Sequence, residues 1–407
     1  MNAYEILKQR GFIEQITHEA EVMELLGKQK VTFYIGYDPT ADSLTIGHFL
    51  TFMAMSWMQR AGHTPIVLLG GGTGMVGDPD KADTMRPQMD IDTIDYNVSR
   101  FKIQAERFID FSDGKAILVD NAEWLRKLNY ATFIRDYGIH FSVNRMLAAD
   151  KYKTKFEGSG LNFFELNYQV MQAYDFLELN RRYGCTMQFG GNDQWSNIIA
   201  GVDLIRRCDQ KQAYGMTFKL LLDGSGEKIG KSLGNAVWID PKKFSPYEFY
   251  QFFRNTQDNV VGDYLARLTF LPMDEVERLS AAKGAEINHS KDVLAYEITK
   301  IVHGEEEAQK ARDTAKQLFG GGGTEGAPTT EISRDDLGDG ISILDIMMLA
   351  GLVPSKSEAR RTIQQGGLIV SGEKVADIAH IITQTDFINN EIIVQKGKKI
   401  FHKIVIS

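Results

Sequence analysis

Tyr34-Ile35-Gly36-Tyr37-Asp38-Pro39-Thr40-Ala41-Asp42-Ser43-Leu44-Thr45-Ile46-Gly47-His48 reads as a strand that runs into a tight, glycine-broken loop and then a helix starting near Gly47. Residues 33–37 supply the apolar strand, and Pro39 with Asp42-Ser43 supplies turn chemistry and a candidate N-cap. A small-residue loop feeding a helix N-terminus is a ready anion site, because free backbone N–H groups and the positive end of the helix dipole point at the ligand. Glycine at 47 lets a flat or charged group approach the backbone, and His48 sets an imidazole beside it. Alone, the stretch would be taken for an ordinary strand-to-helix turn.

Working outward, 49–61 is an apolar helix ending at Gly62. Residues 65–70 (Pro-Ile-Val-Leu-Leu-Gly) are a short apolar run of the kind that forms a parallel strand buried on both faces. Strand, loop, helix, strand begins a βαβ unit, so the expected class is α/β, with a doubly wound, Rossmann-like parallel sheet. Gly70-Gly71-Gly72-Thr73-Gly74-Met75-Val76-Gly77-Asp78-Pro79 follows. So many glycines cost backbone entropy, which implies that something approaches the main chain closely. Loops at the carboxyl ends of parallel strands are where such sheets bind ligands. Asp78 there either receives an ammonium or a phenolic hydroxyl, or simply caps a helix. Lys81 and Arg86 follow in a segment read as phosphate-facing.

Residues 1–30 read as two helices, 3–9 and 18–26. Residues 116–120 read as a strand with Asn121 and Trp124 just after it, 129–150 as helical with a break near Gly138, and 151–160 as a polar loop. The 163–179 helix carries Tyr168, Gln172 and Asp175 at i, i+4 and i+7, one stripe. That stripe is either a solvated face or a buried hydrogen-bonding pocket, and its apolar surroundings favour the pocket. A strand from Cys185 ends in Gln188, Gly190, Gly191, Asp193 and Gln194. Its glycines permit close approach of a nucleoside, and Asp193 is placed to accept from ribose hydroxyls, as an acidic residue does in dinucleotide sites. Downstream, Asp223-Gly224-Ser225-Gly226-Glu227-Lys228-Ile229-Gly230-Lys231-Ser232 is a glycine-rich loop with two lysines and a hydroxyl. Lysines on loops are mostly solvated surface, but ammonium groups on such a loop also suit a polyphosphate held only while it leaves.

Length is consistent with roughly two to three domains, and 43% apolar with 25% charged residues is an ordinary globular composition. Cys185 and Cys208 lack metal-ligand spacing, which argues against a disulfide scaffold or a zinc site. The mixed-charge start is unlike a signal peptide, and no apolar run reaches the ~18 residues of a membrane span, so a cytoplasmic location is expected. A net charge of −8 argues against a surface that coats nucleic acid. Its distribution is uneven: residues 341–407 carry eight Lys/Arg against six Asp/Glu, a net of +2, leaving −10 on the rest. An acidic body with a mildly basic tail is compatible with RNA contact at one end.

Gly47-His48 at a strand-to-helix turn, paired with Lys228-Ile229-Gly230-Lys231-Ser232, resembles the His-Ile-Gly-His and Lys-Met-Ser-Lys-Ser signatures of class I aminoacyl-tRNA synthetases. With GGGTGMVGDP (70–79), YQVMQAYD (168–175) and MQFGGNDQW (187–195) in register, the chain resembles the bacterial tyrosyl-tRNA synthetase family over essentially its whole length. The resemblance implies that Tyr34, Asp78, Tyr168, Gln172, Gln188 and Gln194 bind the amino acid, with Asp175 accepting from its phenol. It implies that Gly36, Asp38, Gly47, Gly190, Asp193 and Lys231 bind ATP. Thr40, Thr45, His48, Lys228, Lys231 and Ser232 would stabilise the departing pyrophosphate, with Mg²⁺ accompanying ATP and no metal ligated by the protein.

The implied organisation is a catalytic domain (1–240), a helical anticodon-side domain (241–319), a flexible linker (320–340, including GGGGTEGAPTT) and a small RNA-binding domain (341–407). In the last, Lys356, Arg360 and Arg361 would grip tRNA-Tyr. A homodimer with 129–165 near its interface is also implied. Two departures stand out. Thr45 replaces the first signature histidine and brings a hydroxyl but no cationic character. Asp80-Lys81-Ala82 stands where Ser-Gly-Lys is usual, which shifts Lys81 and Arg86 by about one position. The rival readings are a non-catalytic RNA-binding relative, a tryptophanyl-type synthetase, and an adenylate-forming enzyme that transfers tyrosine elsewhere.

Overall fold

The computed structural model describes residues 1–79, 88–229, 236–320, 328–388, 390–397 and 400–406. The chain divides into two compact units, residues 1–243 with 256–294, and residues 244–255 with 295–407. No helix among the described residues is long and apolar enough to cross a membrane.

The first unit is built on a six-stranded sheet. Its strands are β1 (Ile13–Ile16), β2 (Thr32–Tyr37), β3 (Thr64–Leu69), β4 (Ile117–Asp120), β5 (Met187–Gly191) and β6 (Tyr214–Phe218), in the order β1-β6-β5-β2-β3-β4. The five strands β2 to β6 pair in parallel, and β1 closes the edge antiparallel to β6. All six residues of β3 are buried, as expected of a central strand covered on both faces. The chain winds outward from β2 through β3 to β4, then returns to the other side of β2 with β5 and β6. Register brings Tyr34 of β2 opposite Ile66 on one side and Gln188 on the other. The crevice at the carboxyl ends of β2 and β5 is therefore the topological switch point, where open α/β sheets take their ligands.

The helix Ile46–Arg60 links β2 to β3, Phe163–Tyr183 precedes β5, and Trp195–Asp209 links β5 to β6. Asn162 caps the long helix in a reciprocal box with Glu165, and Gly184 ends it in a left-handed conformation. Two expectations are corrected here. The N-terminal stretch is not purely helical, because Ile13–Ile16 forms the edge strand; its two isoleucines are too few for a clear pattern. The 151–160 stretch is not a loop, because Asp150–Glu157 is a helix whose Tyr152 and Lys155 are buried. Lys155 pairs with Glu165, both nearly excluded from solvent, so a polar sequence has an inward face.

In the second unit, Ser245 caps the helix Pro246–Arg254 with proline at its first turn. Phe249 and Phe253 of that helix stack edge-on, and Phe249 also meets His303. The C-terminal part is a five-stranded sheet and a two-stranded one. Its strands are β7 (Thr329–Ile332), β8 (Ile341–Ser342), β9 (Leu368–Val370), β10 (Glu373–Lys374), β11 (Ile381–Ile382), β12 (Glu391–Lys396) and β13 (Ile400–Ile406). The larger order is β10-β9-β12-β13-β7, with β8 and β11 paired separately. The helices Ile343–Leu349 and Lys356–Gln364 join these strands around one core that includes Ile343, Ile346, Ile363, Leu368, Val394 and Ile404. Within the 320–340 stretch read as linker, β7 pairs in parallel with β13 and Arg334–Leu337 forms a helical turn.

Candidate active site

A cavity of about 370 Å³ opens at the switch point. It gathers side chains from β2, β5, the glycine loop after β3, the Phe163–Tyr183 helix, the start of the Ile46–Arg60 helix and the loop after β6.

At its buried end stand Tyr34 and Asp175, 1% and 2% exposed. The Asp175 carboxylate accepts from Asn121 Nδ2 at 2.9 Å and from Trp124 Nε1 at 2.7 Å. Burial nevertheless pushes its pKa up to about 8; the two donors oppose the shift, and the charges of Asp38 and Asp120 add to it. The Tyr34 hydroxyl and Gln188 Oε1 are buried with no hydrogen-bond partner among the described residues. Burial and then the neighbouring Asp175 charge raise the Tyr34 phenol well above its ordinary range, so it stays a neutral donor. Such orphaned groups are costly unless a ligand supplies the partner.

Midway along the wall, Asp38 accepts from Thr73 Oγ1 at 2.7 Å and from the Tyr168 hydroxyl at 2.8 Å. Asp78 Oδ2 accepts from Gln194 Nε2 at 2.8 Å, which also reaches Asp193 Oδ2 at 3.1 Å. Asn197 Nδ2 donates to Gln172 Oε1 at 3.0 Å and Gln194 Oε1 at 3.1 Å. The Tyr168, Gln172, Asp175 stripe thus faces the pocket, the alternative its apolar surroundings favoured. The glycine run is closely approached, as expected, and the groups that approach it belong to the chain itself. A methyl at Gly70 would strike Asp38 and one at Gly71 the Asp120 carboxylate, so the chain's own acids crowd this backbone.

The mouth is lined by Gly36, Thr40, Thr45, Gly47, His48, Gly190, Gly191, Asp193 and Lys228. Thr45 N–H donates to His48 Nδ1 at 3.0 Å, so that nitrogen carries the lone pair and Nε2 carries the proton. The ring packs edge-on against Tyr37 and Phe101. Burial, then the Lys228 charge, hold its pKa down to about 4. His48 therefore offers a neutral Nε2–H donor, while the Thr45 hydroxyl lies 3.1 Å from Nδ1. Lys228 sits on a short antiparallel bridge to Leu222, steadied by Ile229 N–H donating to Leu221 O at 3.0 Å. Lys81, Arg86, Lys231 and Ser232 lie outside the described residues.

The model for class I tRNA synthetases (W and Y) matches residues 27–320, and the model for the tyrosine–tRNA ligase SYY-like C-terminal domain matches residues 321–404. The chain belongs to the class I tyrosyl-tRNA synthetases. It is 59% identical to the tyrosine–tRNA ligase of Lachnoclostridium phytofermentans over 403 residues, 98% of each chain, and 56% identical to that of Clostridium botulinum (strain Loch Maree / Type A3) over 408 residues, all of both chains. Among solved structures it is similar to a C-terminally truncated mitochondrial tyrosyl-tRNA synthetase of Aspergillus nidulans, with a TM-score of 0.70 and 29% identity over 78% of this chain and 94% of that one.

As a class I synthetase the protein is an aminoacyl-tRNA ligase with ATP as a substrate. In the synthetase cavity, Asn121 and Trp124 had no role assigned from sequence, yet they fix the Asp175 carboxylate. Their position just past the end of β4, a parallel strand, was the available signal. Asn197 was likewise missed, being one polar residue in a helix of mixed composition. Lys356, Arg360 and Arg361 belong to the second unit and are exposed on the Lys356–Gln364 helix, where Lys356 pairs with Asp345 at 2.6 Å.

Proposed function

We propose that the cavity binds tyrosine at its buried end and ATP at its mouth, and that the tyrosine carboxylate attacks the α-phosphorus of ATP there. A bond forms between carboxylate oxygen and phosphorus, the bond to the bridging oxygen breaks, and pyrophosphate leaves with its electron pair. The tyrosyl group of the adenylate then passes to the terminal adenosine of tRNA-Tyr. The pairing of Tyr34 and Asp175 at the buried end carries this reading, because it supplies a hydroxyl donor and a carboxyl group to a phenol hydroxyl. An indole N–H would satisfy only the carboxylate, which favours tyrosine over tryptophan.

In this reading Asp78, Gln172 and Gln194 receive the α-ammonium, with Tyr168 holding the wall through Asp38, and Gln188 closes the buried end. Gly36, Gly47, Gly190, Asp38 and Asp193 accommodate the nucleotide, Asp193 accepting from ribose hydroxyls. Thr40, Thr45, His48 and Lys228 meet the phosphates, joined by Lys231 and Ser232. No protein nucleophile is needed, since the attacking carboxylate is already charged, so catalysis is positioning plus charge stabilisation. Mg²⁺ enters with ATP on phosphate oxygens and water.

The protein is proposed to act as a cytoplasmic homodimer, with 1–240 catalytic, 241–319 on the anticodon side and the small C-terminal domain holding tRNA through Lys356, Arg360 and Arg361. Tyrosine-dependent exchange of pyrophosphate into ATP tests the first step, and charging of tRNA-Tyr tests the second. Exchange that requires a different amino acid would overturn the substrate assignment.

A further inference from the structure

Behind the groups assigned to the ligand, one buried polar chain leads away from the cavity. Asn197, in the first turn of the Trp195–Asp209 helix, is fully buried. Its Nδ2 faces three oxygens: Gln172 Oε1 at 3.0 Å, Gln194 Oε1 at 3.1 Å and Asp78 Oδ1 at 3.4 Å. An amide nitrogen has two protons, so three acceptors are more than it can satisfy. An incoming ammonium, with its own donors, suits this surplus.

The other end of the same amide is held from outside the site. Asn197 Oδ1 accepts from the hydroxyl of Tyr152 at 3.1 Å. Tyr152 is fully buried, and burial followed by the charges of Asp78 and Glu165 raises its phenol far above the ordinary range, so it stays protonated and donates. Gln194 is oriented independently, since its Nε2 donates to Asp78 and Asp193. Gln172 has no such second anchor among the described residues; the direction of its amide follows that of Asn197. Were Asn197 to turn over, Gln172 would turn with it and present N–H groups instead of a carbonyl to a cation. The Tyr152 helix is itself tied down, because Lys155 pairs with Glu165 in the first turn of the Phe163–Tyr183 helix.

We propose that Tyr152, acting through Asn197, is a positioning residue that keeps the Gln172 carbonyl oxygen turned toward the α-ammonium of the amino acid. This rests on the ammonium assignment of Asp78, Gln172 and Gln194 made above. Tyr152 touches no substrate; its effect is on binding of one functional group.

The test is equilibrium binding of three probes to the full chain and its variants: tyrosine, tyramine (ammonium without carboxylate) and 3-(4-hydroxyphenyl)propionate (carboxylate without ammonium). Tyr152→Phe removes one oxygen and leaves the ring. The loss of one buried hydrogen bond predicts dissociation constants about 3- to 10-fold higher for tyrosine and tyramine. The deaminated probe should be unchanged, as should kcat for pyrophosphate exchange at saturating tyrosine. Asn197→Ser is the second variant and should give the same split between probes. Equal weakening of all three probes would make Tyr152 merely structural and overturn the proposal. Asp78→Asn separates the two levels. If it weakens tyrosine and tyramine but not the deaminated probe while Tyr152→Phe changes nothing, the positioning role fails and the ammonium assignment stands. If Asp78→Asn does not distinguish tyramine from the deaminated probe, the ammonium assignment fails and the positioning role with it.

Discussion

Replacing Asp175 with alanine should collapse the preference for tyrosine over phenylalanine to what Tyr34 alone supplies. In the intact pocket a phenol hydroxyl meets two buried groups, the Asp175 carboxyl and the Tyr34 hydroxyl, which has no partner among the described residues. Phenylalanine dehydrates both and pairs neither. Leaving the buried Tyr34 hydroxyl unpaired costs about 1–3 kcal/mol, and leaving the buried, protonated Asp175 carboxyl short of a partner costs about the same. Together these give about 2–6 kcal/mol, a discrimination of roughly 30-fold to 10⁴-fold. Tyrosyl-tRNA synthetases as a class reject phenylalanine by about 10⁵. The assay is pyrophosphate exchange with each amino acid, compared as a ratio of kcat/KM.

Because alanine also strands the Asn121 and Trp124 donors, Asp175→Asn, which preserves the shape, is measured beside it; both ratios should collapse toward the roughly 5- to 150-fold level set by Tyr34 alone. Stability gives a second readout. The folded protein keeps a proton on Asp175 until about pH 8, whereas the unfolded chain releases it near 3.8. That contribution is therefore fully present below about pH 4 and lost as pH rises through about 8, and either variant should lack this slope. A variant that keeps the full preference of the unaltered protein refutes the reasoning and places hydroxyl recognition elsewhere.

Lys228→Ala should lower the rate of adenylate formation by about 10²-fold, as for loss of one oxyanion-type donor, with tyrosine affinity by equilibrium dialysis unchanged; equal losses in both would contradict a role confined to the transition state. His48 stays neutral in the folded protein down to about pH 4 while the unfolded chain protonates near 6.5. Its contribution to stability is thus present above about 6.5 and lost as pH falls toward 4, and His48→Gln should show a shallower acid slope in denaturant titrations. Lys155→Met leaves the buried Glu165 carboxylate without its cation and should destabilise by about 3–5 kcal/mol, whereas Lys155→Met combined with Glu165→Leu should recover most of that loss; chemical denaturation of both decides it.

The central parallel strand β3 was legible because its run Ile66–Leu69 is continuously apolar, and the pocket helix because Tyr168, Gln172 and Asp175 share one stripe. The edge strand Ile13–Ile16 was hidden because two of its four residues are polar and its pairing partner, β6, lies about two hundred positions away. The Asp150–Glu157 helix was hidden because its inward face includes a lysine whose acid, Glu165, becomes visible only once the chain folds back. The glycines after β3 announced crowding correctly but not its source, since a ligand and the chain's own Asp38 and Asp120 leave the same mark in a sequence. The supports of the site, Asn121, Trp124, Asn197 and Tyr152, act on side chains remote in sequence, and spacing carries no trace of such partnerships.

The short strand Thr329–Ile332 has a practical consequence. It covers the outer margin of β13 through a parallel register running from Thr329 beside Lys403 to Ile332 beside Ile406. A fragment begun at residue 341 would leave that margin bare, with unmet backbone donors and acceptors open to recruitment by another copy. Anyone excising the tail for RNA-binding work should cut upstream of Pro328, where the missing margin travels with the piece.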